Sequence, residues 1–281
     1  MATAAAAAEL PPPRCRAHRR GRRRPVARWV VVAAAANAND AGTKRDRDLA
    51  ERARAQKTTY AAVERAWRDG GALDGANDDA VERTVRRTLQ LAKHFERLRF
   101  QQEVALGKYG EGVVLPASHS DPIWLASRLR VLSRLTRVAP EELPAMVEIV
   151  GADLLAVSPA KVMRVVVALK DLLPIADASS MIAAEPELLV VADERVILYS
   201  GMDAMQTLRG MDIPEPCVRL LLAEEPGLML GKGGLVRLDQ IREQAETHAE
   251  NLRSICDGVR DDEPLDVNAQ RWFTNFFCGY Y

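Results

Sequence analysis

Ala184-Glu185-Pro186-Glu187-Leu188-Leu189 recurs forty residues later as Glu224-Glu225-Pro226-Gly227-Leu228-Met229, and more weakly upstream, without the proline, as Val150-Gly151-Ala152-Asp153-Leu154-Leu155. Aligned on the doublets Leu154-Leu155, Leu188-Leu189 and Leu228-Met229, the three copies step by 34 and 40 residues. An apolar helical stripe precedes each: Met146, Val147, Val150; then Met181, Ile182; then Val218, Leu221, Leu222. Another follows each: Val162, Val165, Val166, Leu169; then Val196, Ile197, Ser200, Met205; then Leu235, Leu238, Ile241. Two helices and a turn at this period are the mark of an α-helical repeat array, in which each unit is too small to bury its apolar face except on its neighbour.

Around this centre the chain reads as all-α. Eight prolines between Pro140 and Pro226 divide the second half into short segments, because proline inside a helix costs about 3 kcal/mol. The periodicity predicts helices near 123–136, 141–150, 159–172, 178–184, 193–209, 214–224 and 234–257. Upstream, Thr58 to Trp67 has helical spacing. Beyond a Gly/Asp/Asn break, Asp78 or Asp79 is placed to cap a helix carrying Val81, Val85, Leu89, Ala92, Phe95 and Leu98 on one side. Only 5% of residues are aromatic, which argues against a β-sandwich. The longest nearly apolar run, Trp29 to Ala36, falls far short of the ~20 residues that span a bilayer. The expected organisation is a transit peptide over 1–39, a charged helical segment over 40–106, a linker over 107–122, a short solenoid of about three repeats over 123–258, and an acidic hinge with an aromatic tail over 259–281.

The repeats resemble the mitochondrial transcription termination factor (mTERF) family of organellar nucleic-acid-binding proteins. The family repeat has a Leu-x-x-x-Pro-x-Leu-Leu core. It is matched by Ile182-Ala183-Ala184-Glu185-Pro186-Glu187-Leu188-Leu189 and by Leu222-Ala223-Glu224-Glu225-Pro226-Gly227-Leu228-Met229. Leu208-Arg209-Gly210-Met211-Asp212-Ile213 looks like the family's Leu-x-x-Gly-x-x connector. Over roughly residues 141–245 the resemblance implies a curved solenoid that grips duplex DNA or structured RNA, with a role in plastid or mitochondrial transcription, splicing or ribosome biogenesis.

Net charge is zero but unevenly placed. Residues 1–39 hold eight arginines and one acid; residues 40–137 hold 19 basic and 14 acidic residues; residues 138–281 hold 12 basic and 24 acidic. The first block is Ala- and Arg-rich and nearly free of acids, as organellar transit peptides are. Val30 to Ala36 resembles the cleavage region of chloroplast transit peptides, placing the mature start between Ala33 and Asp40; a mitochondrial destination is the alternative. The last block, at −12, repels phosphates and favours a basic partner.

Candidate contacts follow from that distribution. Arg128, Arg130, Arg134 and Arg137 are the best candidates for phosphates of organellar DNA or RNA, with 130, 134 and 137 stacked on one helical face. The alternative for them is a solvated face or docking onto the acidic repeats. Arg83, Arg86, Arg87, Lys93, Arg97 and Arg99 are a more scattered second set. Gly231-Lys232-Gly233-Gly234 lacks the spacing of a P-loop and reads as a cap followed by a turn. Six of the 14 aromatic residues fall in the last ten positions: Trp272, Phe273, Phe276, Phe277, Tyr280 and Tyr281. They read either as a partner-binding patch or as a cap over the last repeat.

No catalytic constellation emerges. His18, His94, His119 and His248 stand apart from one another and from Cys15, Cys217, Cys256 and Cys278, so no metal-ligand spacing arises, and neither a cofactor nor an enzymatic activity is expected. Cys217 and Cys256 are expected to be buried free thiols. The two functional readings are a non-enzymatic chloroplast nucleic-acid factor and, alternatively, an acidic helical-repeat scaffold for a basic organellar protein.

Overall fold

The computed structural model describes residues 44–69, 71–109, 113–191, 193–257, 259 and 265–275. Two compact units are distinguished, Met1–Arg47 and Asp48–Tyr281. Of the first, only the beginning of helix α1 is described, and the transit peptide expected over 1–39 lies outside the described residues. Among the described residues every regular element is helical.

Helix α1 (Lys44–Arg68) and α2 (Asp78–Tyr109) open the second unit. Val63, Ala66 and Trp67 of α1 are buried against Val81, Val85, Leu91, Ala92 and Phe95 of α2. Trp67 Nε1 donates to Thr88 Oγ1 at 3.1 Å, and Thr88 in turn donates to the Thr84 carbonyl at 2.9 Å. Thr84 and Thr88 are thus buried at little cost, since each hydroxyl returns a hydrogen bond to the preceding helical turn. The α2 cap is Asn77, whose Oδ1 accepts from Ala80 N at 2.8 Å; Asp78 and Asp79 occupy the first turn instead.

The described residues of the stretch expected as a linker over 107–122 make contacts with α2. Helix α2 continues to Tyr109, Leu115 N donates to Gln102 Oε1 at 2.8 Å, and a 3-10 turn at Ala117–Ser120 packs back on α2. There His119 lies 5.8 Å from the Phe95 ring and 4.9 Å from Trp124. The buried residues on both sides, from Val63 to Phe273, belong to one hydrophobic cluster.

Beyond it, a long helix, a short helix and a third short turn recur. The first set is α3 (Pro122–Thr136), α4 (Leu143–Val150) and α5 (Asp153–Ala156). The second is α6 (Pro159–Leu172), α7 (Ala178–Ala184) and the 3-10 turn Pro186–Leu189. The third is α8 (Glu194–Arg209), α9 (Glu215–Glu224) and the 3-10 turn Pro226–Leu230. Proline stands in the first turn of α3, α4, α6 and α9 and of both 3-10 turns, where its missing N–H has no helical partner to lose. The long helices pack in succession, α3 on α6 and α6 on α8, and α7 packs on α9. Leu154, Leu155, Leu188, Leu189 and Met229 of the aligned doublets are all buried.

The stretch predicted as one helix over 234–257 is two, α10 (Gly234–Thr247) and α11 (Ala249–Cys256). His248 breaks it at φ −113°, and its ring meets the Trp272 ring edge-on at 5.8 Å. Helix α12 (Val267–Phe273) is capped by Asp266, which accepts from the backbone of Asn268 and Ala269. It buries Ala269 and Phe273, with Leu265 just before it, in the common core.

Candidate interaction surfaces

The arginine quartet does not form one open patch. Arg128 Nε donates to the Leu155 carbonyl at 2.6 Å and its Nη2 to the Val157 carbonyl, tying α3 to the turn between α5 and α6. Arg130 Nη1 donates to the Ala66 carbonyl at 2.7 Å, near the C-terminal end of α1. These two guanidinium groups donate to backbone carbonyls of the fold, whereas the sequence reading offered all four arginines to phosphates. Arg134 and Arg137 are exposed, Arg137 as the left-handed C-cap of α3 at φ 63°. On α2, Arg86 pairs with Glu82, Arg99 pairs with Glu103, and Arg87 donates to the Glu141 carbonyl; Arg83, Lys93 and Arg97 are exposed.

In the acidic half, several cations are held in ion pairs between neighbouring elements. Lys232 Nζ reaches back to Glu185 Oε1 at 2.8 Å and Glu187 Oε2 at 3.0 Å. These carboxylates flank the first proline motif, whereas Lys232 follows the second. Together they hold the lysine's pKa above its ordinary value against the opposing effect of burial. Arg237, almost fully buried, pairs through two nitrogens with Glu225, which flanks the second motif. Arg209 and Arg219 converge on Glu215 at 2.6 and 3.0 Å, and hold its carboxyl below the usual range. The Gly231–Gly234 loop accordingly serves as a turn, with Gly231, Gly233 and Gly234 all at positive φ and its lysine committed to two carboxylates.

The aromatic tail is divided. Phe273 is fully buried and Trp272 half-buried, so these two belong to the closure of the core rather than to an open partner-binding patch. Phe276, Phe277, Tyr280 and Tyr281 lie outside the described residues.

A surface that the sequence reading did not single out lies on α6, α8 and α10. Val196, Tyr199 and Met202 follow one another along exposed α8, Tyr199 being 75% exposed. On one side a groove of about 270 Å³ separates α8 from α6, lined by Met163, Val167 and Leu198. On the other a groove of about 570 Å³ runs between α8 and the 3-10 turn Pro226–Leu230, with Leu238 of α10 at its edge, lined by Val196, Tyr199, Leu228 and Leu230, with Asp203 at its side. Leu235 and Val236, 78% and 70% exposed, lie one turn before Leu238. Val196 and Leu235, expected in the core stripes, therefore face outward. The available signal was excess: α8 carries more apolar residues than one buried stripe of a helix uses.

Among the described residues no group of three or more His, Cys, Asp or Glu could hold a metal ion, and no helix is long and apolar enough to cross a membrane. Compared with protein-family models, with curated proteins and with solved structures, the chain matches none.

Proposed function

We propose that this protein is a non-enzymatic organellar helical-repeat factor that acts as a scaffold, holding a basic amphipathic helix of a partner protein on the α6/α8/α10 face. The observation that carries this reading is the exposed apolar ridge Val196, Tyr199 and Met202, flanked on both sides by grooves. An apolar face of this extent is the kind of surface that takes up the apolar side of a helix. The net charge of −12 over residues 138–281 attracts a cationic segment and repels nucleic acid. The recurrence of long helix, short helix and proline-led turn supports a divergent, short relative of the mTERF family and a solenoid arrangement of its units. The basic, acid-poor residues 1–39 support import into the chloroplast, with the mitochondrion as the alternative.

A second reading, contact with organellar DNA or RNA, is favoured by the exposure of Arg134 and Arg137 together with Arg83, Lys93 and Arg97. Fluorescence anisotropy separates the two. A labelled Lys/Leu amphipathic helical peptide is expected to bind the full chain, an acid-substituted version to bind at least tenfold more weakly, and Tyr199→Glu/Met202→Glu to abolish binding. Failure of the basic peptide, together with RNA or DNA binding that weakens steeply with salt and shrinks in Arg134→Ala/Arg137→Ala, would replace the scaffold by the nucleic-acid reading.

A further inference from the structure

Cys217 in the first turn of α9 and Cys256 at the last residue of α11 are 39 positions apart in sequence, yet their Sγ atoms lie 3.1 Å apart. Neither is in a disulfide. Cys217 is fully buried in the hydrophobic core, and Cys256 is half-buried and packed against the same core. Two thiols at hydrogen-bonding distance need only about 1 Å of approach to reach the ~2.05 Å of a disulfide. The helices that carry them already pack on one another.

We infer that Cys217 and Cys256 form a redox modification site, a dithiol that closes reversibly to a disulfide by exchange with a low-molecular-weight disulfide such as oxidised glutathione. Exposure assigns the order of events. The half-buried Cys256 attacks first: its thiolate displaces one glutathione thiolate and forms a mixed disulfide. Cys217 then attacks the Cys256 sulfur, gives up its proton to solvent and releases the second glutathione thiolate. Two protein thiols are oxidised and one glutathione disulfide is reduced to two thiols, so the exchange balances. The electrostatics agree with this order. The hydrogen bond between the two thiols lowers the pKa of Cys256 and, together with burial, raises that of Cys217. Closure pins α11 onto α9, and with it the end of the chain segment that leads to α12.

The test uses the full chain with Cys15→Ser and Cys278→Ser, so that a single pairing is available. It is incubated over a series of reduced-to-oxidised glutathione ratios, quenched with an alkylating agent and mapped by mass. Both thiols should disappear together, a peptide linking 217 to 256 should appear without denaturant, and dithiothreitol should restore both. Cys217→Ser should trap glutathione on Cys256. The oxidised form should melt roughly 5–15 °C higher, since the cross-link constrains a long loop of the unfolded chain. A glutathione adduct that persists on Cys256 with Cys217 intact, a cross-link formed only in denaturant, or two thiols still alkylated at every ratio would each overturn the inference. If Cys217→Ser does not fold, as judged by circular dichroism, mapping of the intact pair still decides.

Discussion

Gly201 and Arg237 show how single residues constrain the contacts between neighbouring elements. A Cβ on Gly201 of α8 would stand 2.2 Å from Leu172 Cδ2 and 3.3 Å from its Cγ at the end of α6, so an added side chain would force Leu172 to shift. Gly201→Ala is expected to cost about 1–3 kcal/mol through overpacking, measured as a lower urea midpoint with an unchanged slope. Arg237 is 3% exposed and its partner Glu225 17%. Truncating one member of such a pair leaves the other charge buried and unpaired. Arg237→Ala is therefore expected to cost about 3 kcal/mol, and Arg237→Met with Glu225→Leu to recover most of it; equal destabilisation of the single and double variants would refute the pairing argument. Neither effect follows from residue type alone, because an arginine beside a glutamate-rich motif is as easily solvated as buried.

At the scale of elements, α7 is seven residues long and too short to persist without tertiary support and a good cap. Asp177 supplies that cap, accepting from Ser179 and Ser180 through both hydroxyls, at 2.6 and 2.7 Å, and both backbone N–H groups. The two hydroxyls, and after them the backbone donors, hold its carboxyl at about 2 against an ordinary value of 3.8. The folded value is the lower one, so the contribution is complete above the unfolded value and is lost as pH falls through the folded one. Asp177→Ala is expected to destabilise by about 1 kcal/mol near pH 6, with the difference from wild type shrinking between pH 3.8 and about 2. Urea titrations at both ends of that window check it; a gap that is constant with pH contradicts the charged cap. The Ser-Ser dipeptide after an aspartate was visible in the sequence, but its four-donor geometry was not.

Over the whole molecule, α12 acts as the closing piece of the described core. Phe273→Ala is expected to cost about 3–5 kcal/mol, because it empties a fully buried aromatic site, while leaving peptide binding on the α6/α8/α10 face unaltered. Thermal unfolding together with peptide anisotropy checks both parts, and a neutral variant would contradict the closing role. The same scale explains the fate of the charges. Glu185, Glu187 and Glu225, which look like a phosphate-repelling rim when read in sequence, are paired with Lys232 and Arg237. The arginines that looked free on α3 are engaged likewise, Arg128 by the carbonyls of Leu155 and Val157 and Arg130 by that of Ala66.

The sequence by itself determined the helical class, the long-short-turn recurrence and nearly all helix bounds from 122 to 224, because apolar periodicity, caps and proline are local signals read within one turn of chain. It did not determine the break at His248, whose ring meets one 24 residues away, nor the packing that follows α2, where His119 settles between Phe95 and Trp124. Tertiary structure alone decided which arginines were spent on carbonyls, which apolar residues of α8 were left outside, and that Cys217 meets Cys256. Each of these rests on contacts between residues far apart in sequence, whose partners are fixed by how the helices pack and not by any pattern along the chain.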